Sequence, residues 1–382
     1  MPPMEPRNDN LLGLELQELT RLMSDLGQPS YRGRQLWEAI YRQRAISLEG
    51  ITSLPLQLRS ELGRRFCLEL PAIDRRFKSV DGTVRYLIQF DDGQSVETVW
   101  MPEGDGGEAG DGSDPPEMDS EEAASSADTA SAPKWKRATI CISSQAGCAV
   151  NCQFCLTAKL GLVRNLSPGE IVGQVLVLLN EHNMSPPLDR VNLVFMGQGE
   201  PFHNYDSFMA AVRLLVSAVG IPESRMTVST SGIVPRIEDF GREAVRPKLA
   251  ISLNASHDEQ RSPLMPLNRK WDIAELMEAA RQFPLRPRER LTFEYVLLDQ
   301  VNDSSEDARR VTRLIQGIRA KVNLIAWNPG PGIPFGSPAQ ERVLGFQEIL
   351  TRSGIPTFIR RPRGRDIFAA CGQLQQIVEL AG

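Results

Sequence analysis

Short apolar runs alternate with longer stretches whose apolar residues recur every third or fourth position through the C-terminal two thirds of the chain. The runs 138–143, 192–196, 226–231, 248–253, 291–298, 322–327 and 357–360 read as strands, and helical stretches separate most of them. The clearest helix covers Ser167 to His182. Ser167 caps it, Pro168 opens it, Glu170 completes a capping box, and Ile171, Val175, Leu178 and Leu179 form its apolar face. Alternating strands and helices predict an α/β fold with a parallel sheet, open or closed as a barrel. Its functional residues are expected at the C-terminal strand ends.

Upstream the period changes twice. Leu14 to Met23, Tyr31 to Arg44 (capped by Ser30) and the stretch opened by Ser53 and Pro55 read as three helices. The third has Leu56, Leu58, Leu62 and Phe66 as its apolar positions. Arg32, Arg34, Arg42 and Arg44 flank the middle helix, as a solvated face or as a surface for RNA. Between 74 and 101 the pattern alternates in strand fashion, with turn signals at Asp81-Gly82 and Asp91-Asp92-Gly93. Val96, Thr98 and Trp100 then point one way, and Ser95, Glu97 and Val99 the other. On pattern alone, Glu97 reads as a partly exposed strand carboxylate. The expected division is a helical module (1–72), a small β region (73–102), an acidic insertion (103–133) and a catalytic domain (134–382).

Composition alters this picture in one place. The stretch 103–133 holds ten acids and no Lys or Arg, and reads as disordered. The formal charge of −5 becomes +5 for the remainder, which suits a polyanionic partner. Residues 1–10 carry no apolar signal core, and no apolar run reaches membrane-spanning length. A cytoplasmic protein with no membrane segment is expected. Six cysteines in 382 residues, three of them clustered, do not form a disulfide framework.

The clustered three, Cys148, Cys152 and Cys155, stand at C-x3-C-x2-C spacing. Three thiolates can hold three irons of a 4Fe-4S cubane and leave the fourth open to a small chelating ligand. Structural zinc is the alternative, but it takes four Cys or His, and the nearest His downstream is His182. Without further context Cys141 and Cys371 read as ordinary core thiols, and Cys67 as a buried small hydrophobe. The turn Gly197-Gln198-Gly199-Glu200-Pro201 follows a strand and permits close backbone approach. The run Arg360 to Arg365 and the run Lys134-Trp135-Lys136-Arg137 are basic candidates for a phosphate backbone, or solvated charge.

Together these motifs resemble the RlmN/Cfr family of radical S-adenosylmethionine (SAM) methyltransferases. The runs that carry the resemblance are Thr139 to Cys155, Gly197 to Pro201, Glu294 to Asp303, Ala326 to Pro329 and Arg363 to Leu374. It covers nearly all of the chain outside the acidic insertion. It implies a partial TIM barrel and C2 methylation of adenosine in 23S rRNA and in tRNA. Adenine C2 is electrophilic, as is SAM, so the reaction requires a radical route. Two SAM molecules serve each turnover, one as methyl donor and one as radical source on the cluster held by Cys148, Cys152 and Cys155. By the same resemblance Cys371 carries the methyl, Cys141 resolves the adduct through a transient disulfide, and Glu97 accepts the C2 proton. Gly199, Glu200, Ser229, Ser252, Leu253, Asn254 and Asn328 match SAM contacts. Two positions depart from the family: Gln198 stands where it carries Met, and Asn254 where His is expected. The implied partners are 23S rRNA, tRNA and an electron donor such as flavodoxin or ferredoxin, acting on a monomer. Three rivals stay open: C8 methylation, a radical enzyme that uses SAM only as oxidant, and a zinc-stabilised RNA-binding module.

Overall fold

The computed structural model describes residues 9–102 and 136–374. The acidic insertion, the N-terminal residues before Asp9, and Lys134 and Trp135 lie outside the described residues.

Three helices, α1 (Leu16–Asp25), α2 (Tyr31–Tyr41) and α3 (Leu56–Arg65), form the N-terminal module. Glu15 and Glu18 make a capping box on α1. A Cβ on Gly33 would lie 2.6 Å from the Thr20 backbone, so a glycine lets α2 cross α1 closely. Several expectations change here. Ser30 already has helical dihedrals and makes no side-chain cap. Helix α2 stops at Tyr41, and Arg44, at φ +55°, turns away to donate to the Met184 carbonyl at 2.9 Å. Leu56 is 69% exposed, because the apolar face of α3 consists of Leu58 and Leu62. Phe66 and the half-buried Cys67 leave the helix and pair with Asp9–Asn10.

Ten further strands build one sheet: β1 (Ala72–Lys78), β2 (Val84–Gln89), β3 (Ser95–Pro102), β4 (Arg137–Cys141), β5 (Arg190–Phe195), β6 (Met226–Thr230), β7 (Lys248–Ser252), β8 (Leu291–Leu297), β9 (Ala320–Ala326) and β10 (Thr357–Ile359). Each strand neighbours the one before it in sequence. Strands β4 to β10 are parallel, while β1 to β3 extend the same sheet antiparallel from β4. The small β region is therefore an edge of the catalytic sheet. Among the described residues β1 and β10 do not pair, so the sheet stays open as a partial barrel.

Sequential parallel order with right-handed crossovers places the helices on one face. The first of these, α4 (Pro168–Glu181), has the expected Ser167–Glu170 capping box. On β3 the alternation is as expected. Thr98 bonds Gln174 of α4 and Trp100 stacks on His182 beyond it, whereas Val99 and Met101 face the other side and line a cavity. No helix among the described residues is long and apolar enough to cross a membrane.

Candidate active site

The cavity opens at the C-terminal ends of the parallel strands, and all three clustered cysteines line it. Their loop is fixed by its backbone. A ribbon pairs Gln145–Gly147 with Leu162–Asn165, and the Cys148 amide donates to the Gly161 carbonyl at 2.9 Å. Gly147 is required at φ +78°: a Cβ there would sit 1.8 Å from that carbonyl. Cys155 precedes a one-turn helix, Leu156–Lys159, whose Thr157 and Ala158 amides face its sulfur.

Burial pushes all three thiols upward, Cys148 to about 12. Binding a soft metal reverses that preference by replacing the proton. Among the described residues no three His, Cys, Asp or Glu side chains are grouped tightly enough to hold a single metal ion. The fit to a cluster rests on other features: three soft donors from one loop, amides aimed at a ligand sulfur, and an apolar wall. Phe154, Leu156, Met265, Leu298, Trp327 and Ile333 form that wall, and Trp327 Nε1 donates to the Phe154 carbonyl at 3.0 Å.

The expected SAM side lines the same cavity, with one exception. Gly199, at φ +100°, lies against Gln145, where a Cβ would approach to 2.6 Å. Glu200 is buried, and its Oε2 accepts from the Ser231 amide and hydroxyl, both at 2.7 Å. Its Oε1 accepts from the Phe202 amide. Ser229 and Ser252 face each other at 3.3 Å, and Asn328 lies across the cavity. Asn254 adopts φ +55°, and its Oδ1 accepts from the Val296 amide at 2.8 Å. Leu253 is the exception: it is fully buried outside the lining, with its amide and carbonyl held by Glu294 and Arg261. Arg261, which the sequence reading missed, is fully buried and bridges the carbonyls of Ser231, Ser252 and Leu253. It ties the loops after β6 and β7 together.

Cys141 and Cys371 are not core thiols. Both line the cavity, and Cys371 is accessible there. Burial first, and then the neighbouring Cys371 sulfur, push the Cys141 thiol up. Burial and the Glu294 carboxylate likewise raise Cys371, and Arg360 opposes them. The two sulfurs thus lie within electrostatic reach of each other. Glu294, on β8, was quoted in a motif without a role. Strand alternation alone puts it beside Val296 on the cavity face. Asn323 donates to its Oε1 at 2.9 Å, and burial lifts its carboxyl above the ordinary value. Arg360, Arg361 and Arg363 line the mouth beside Cys371.

Glu97 is not the partly exposed carboxylate expected from pattern. It is 0% exposed and paired with the buried Arg85, whose guanidinium lies 4.1 Å from the Phe77 ring centroid. Gln198 Nε2 reaches its other oxygen at 3.3 Å. Glu97 shares a strand face with Val99 and Met101 but does not itself line the cavity.

Comparison with known proteins agrees with this geometry. Residues 142–311 match the Radical SAM superfamily model, and residues 9–68 match the Ribosomal RNA large subunit methyltransferase N-terminal domain. The chain is 63% identical to the "Probable dual-specificity RNA methyltransferase RlmN" of Koribacter versatilis, over 93% of this chain and 98% of the relative. It is 45% identical to the dual-specificity RNA methyltransferase RlmN of an Anaeromyxobacter species, over 98% and 92%. A solved radical SAM methyltransferase from Sphaerobacter thermophilus superposes with a TM-score of 0.82 at 41% identity, over 96% of this chain and 99% of that one.

Proposed function

The chain belongs to the RlmN family of radical SAM RNA methyltransferases, and from that premise we propose that it methylates C2 of adenosine. The substrates in this reading are 23S rRNA at the peptidyl-transferase centre and the adenosine beside the anticodon in tRNA. The observation that carries it is the meeting of Cys141 and Cys371 in the cavity that the three clustered thiols also line. An enzyme that only abstracts hydrogen needs neither thiol.

Cys148, Cys152 and Cys155 would hold a 4Fe-4S cluster which, with SAM on its open iron, supplies a 5′-deoxyadenosyl radical. Glu200, Ser229, Ser252 and Asn328 would orient SAM, with Arg261 holding two of their loops. Cys371 loses its thiol proton as its sulfur takes the methyl of a first SAM, which leaves as S-adenosylhomocysteine. That S-methyl group would give a hydrogen atom to the 5′-deoxyadenosyl radical, the carbon then bonds to C2 and tethers RNA to protein, and the adduct gives up one electron, for which the cluster would be the acceptor. Glu97 takes the C2 proton, for which it must loosen from Arg85. Cys141 attacks the Cys371 sulfur and releases the methylated base, leaving a disulfide that cellular thiols reduce. Arg360, Arg361 and the N-terminal helices would guide the phosphate backbone, and the target base leaves its stack to enter. A cytoplasmic monomer served by flavodoxin or ferredoxin completes the reading.

Peptide mass spectrometry on anaerobically reconstituted enzyme with methyl-labelled SAM tests it. Label on Cys371 is expected. An intact cluster that cleaves SAM and never labels Cys371 would remove the carrier step. Cys141→Ala should accumulate a covalent RNA–protein adduct, and free turnover in that variant would end its resolving role. Nucleoside analysis of the RNA should give 2-methyladenosine; 8-methyladenosine would reassign the carbon.

A further inference from the structure

Cys371 ends a loop that leaves the sheet at β10 and has little regular structure of its own. What holds that loop comes from the far end of the chain. The turn between β1 and β2, residues Ser79 to Asp81, reaches the segment 363–366. Ser79 Oγ donates to Asp366 Oδ1 at 2.5 Å, and the Val80 amide donates to Asp366 Oδ2 at 3.2 Å. In return the Gly364 amide donates to Asp81 Oδ2 at 3.0 Å, with the Arg363 guanidinium 3.8 Å from the same oxygen. Arg363 also donates to the Pro102 carbonyl at the end of β3. The partners stand more than 280 residues apart in sequence. Each acid therefore accepts from the other segment, and ionised acceptors make the stronger hydrogen bonds.

Two further details fit a fixed clasp. Gly364 turns at φ +61°, where a Cβ would meet Ala369 at 2.8 Å and Thr83 at 3.1 Å, so the loop is folded tightly against the hairpin. Burial alone would raise the Asp81 carboxyl, but hydrogen bonds led by the Gly364 and Thr83 amides bring it down to about 2. Asp81 is therefore ionised at neutral pH.

On the other side of Cys371 a second anchor follows. The Leu156 amide donates to the Gly372 carbonyl at 2.8 Å and Thr157 Oγ1 to the Leu374 carbonyl at 2.7 Å. Those donors belong to the helix after Cys155, so this anchor cannot be cut without disturbing the cluster loop. The hairpin anchor can: Val80 at its tip is 96% exposed and remote from the cavity lining.

We propose that Asp81, Asp366 and Ser79 are positioning residues that hold the Cys371 loop over the cavity. The first β hairpin then serves as the clasp of the methyl carrier. The inference rests on the reading of Cys371 as that carrier.

The test uses reconstituted holoenzyme and two readouts: the initial rate of label transfer from methyl-labelled SAM to Cys371, and alkylation rates of Cys371 and Cys141 by iodoacetamide. Asp366→Ala should slow label transfer roughly tenfold, since small misplacements of a reacting group cost about that much or more. KM for SAM and iron content should not change. Asp366→Asn keeps one acceptor oxygen and should recover most of the loss, and the milder Ser79→Ala should fall between. Cys371 should alkylate faster in Asp366→Ala while Cys141 keeps its wild-type rate. Wild-type label transfer and wild-type Cys371 alkylation in both Asp366→Ala and Ser79→Ala would overturn the clasp. So would parallel loss of iron, melting temperature and label transfer without recovery in Asp366→Asn. If wild-type enzyme never labels Cys371, the carrier reading fails, and the alkylation comparison alone still decides whether the clasp holds the loop.

Discussion

Two carboxylates are buried on the cavity face of one sheet, and they are compensated in different ways. Glu97 sits on the antiparallel edge, opposite the guanidinium of Arg85, which itself rests on Phe77. Glu294 sits in the parallel part, with an amide from Asn323 as its hydrogen-bond donor and the charges of Arg360 and Lys321 only within electrostatic reach. Burial dominates at Glu294, and its carboxyl is raised. An opposite charge at contact favours the ionised form of a buried acid, whereas burial with only an amide partner favours the neutral one. The edge strands thus contribute a buried ion pair, and the parallel strands contribute a raised carboxyl within electrostatic reach of Cys371.

The largest effect should come from breaking the fixed pair. Arg85→Met leaves Glu97 buried without its counter-ion, which is expected to cost about 3–5 kcal/mol. Thermal unfolding of the single variant and of Arg85→Met/Glu97→Gln would measure it. The double variant should recover most of the loss, because it removes both charges together. A double variant as unstable as the single would show that Arg85 matters through its packing on Phe77 instead of through charge.

At Glu294 the expected effect is smaller and depends on pH. A carboxyl raised on folding binds more protons in the native state than in the unfolded one. Wild-type stability should therefore fall as pH rises from the ordinary carboxyl value of about 4.5 through the raised value. Glu294→Gln keeps an oxygen for Asn323 and lacks the titration, so its melting temperature relative to wild type should climb across that window. It should also shift Cys371 alkylation to lower pH, because the nearby carboxylate is the second cause of the raised thiol. Parallel melting curves at all pH values would mean that Arg360 and Lys321 compensate Glu294 as fully as Arg85 compensates Glu97.

This contrast also marks where the sequence was legible. The seven parallel strands stand out because each is a short apolar run between helices with readable caps, and the cluster loop stands out because three cysteines share nine residues. Glu97 and Arg85 were opaque, since their pairing depends on the register of β2 against β3 and on a loop distant in sequence that brings Gln198 onto Glu97. Ser30 looked like a cap because local chemistry favours it there, yet its own dihedrals are already helical and its side chain caps nothing. The thiols at 141 and 371 lie 230 positions apart and come to one cavity only through the tertiary fold. No spacing rule reaches that far, and resemblance to a family had to supply it.

The smallest effect is expected at the other contact to Glu97. Gln198 stands where the family carries Met, and its amide donates to Glu97 at 3.3 Å, long for a charged acceptor. Its own Oε1 is buried and has no hydrogen-bond partner among the described residues. Replacing it with Met removes a weak bond and an unsatisfied oxygen at similar volume, and the two terms are of like size. Gln198→Met should therefore change stability by less than about 1 kcal/mol, read as a melting shift of no more than about 2 °C. If it instead destabilises as strongly as Arg85→Met, the charge of Glu97 is held by the amide and not by the guanidinium. The two carboxylates would then be compensated alike.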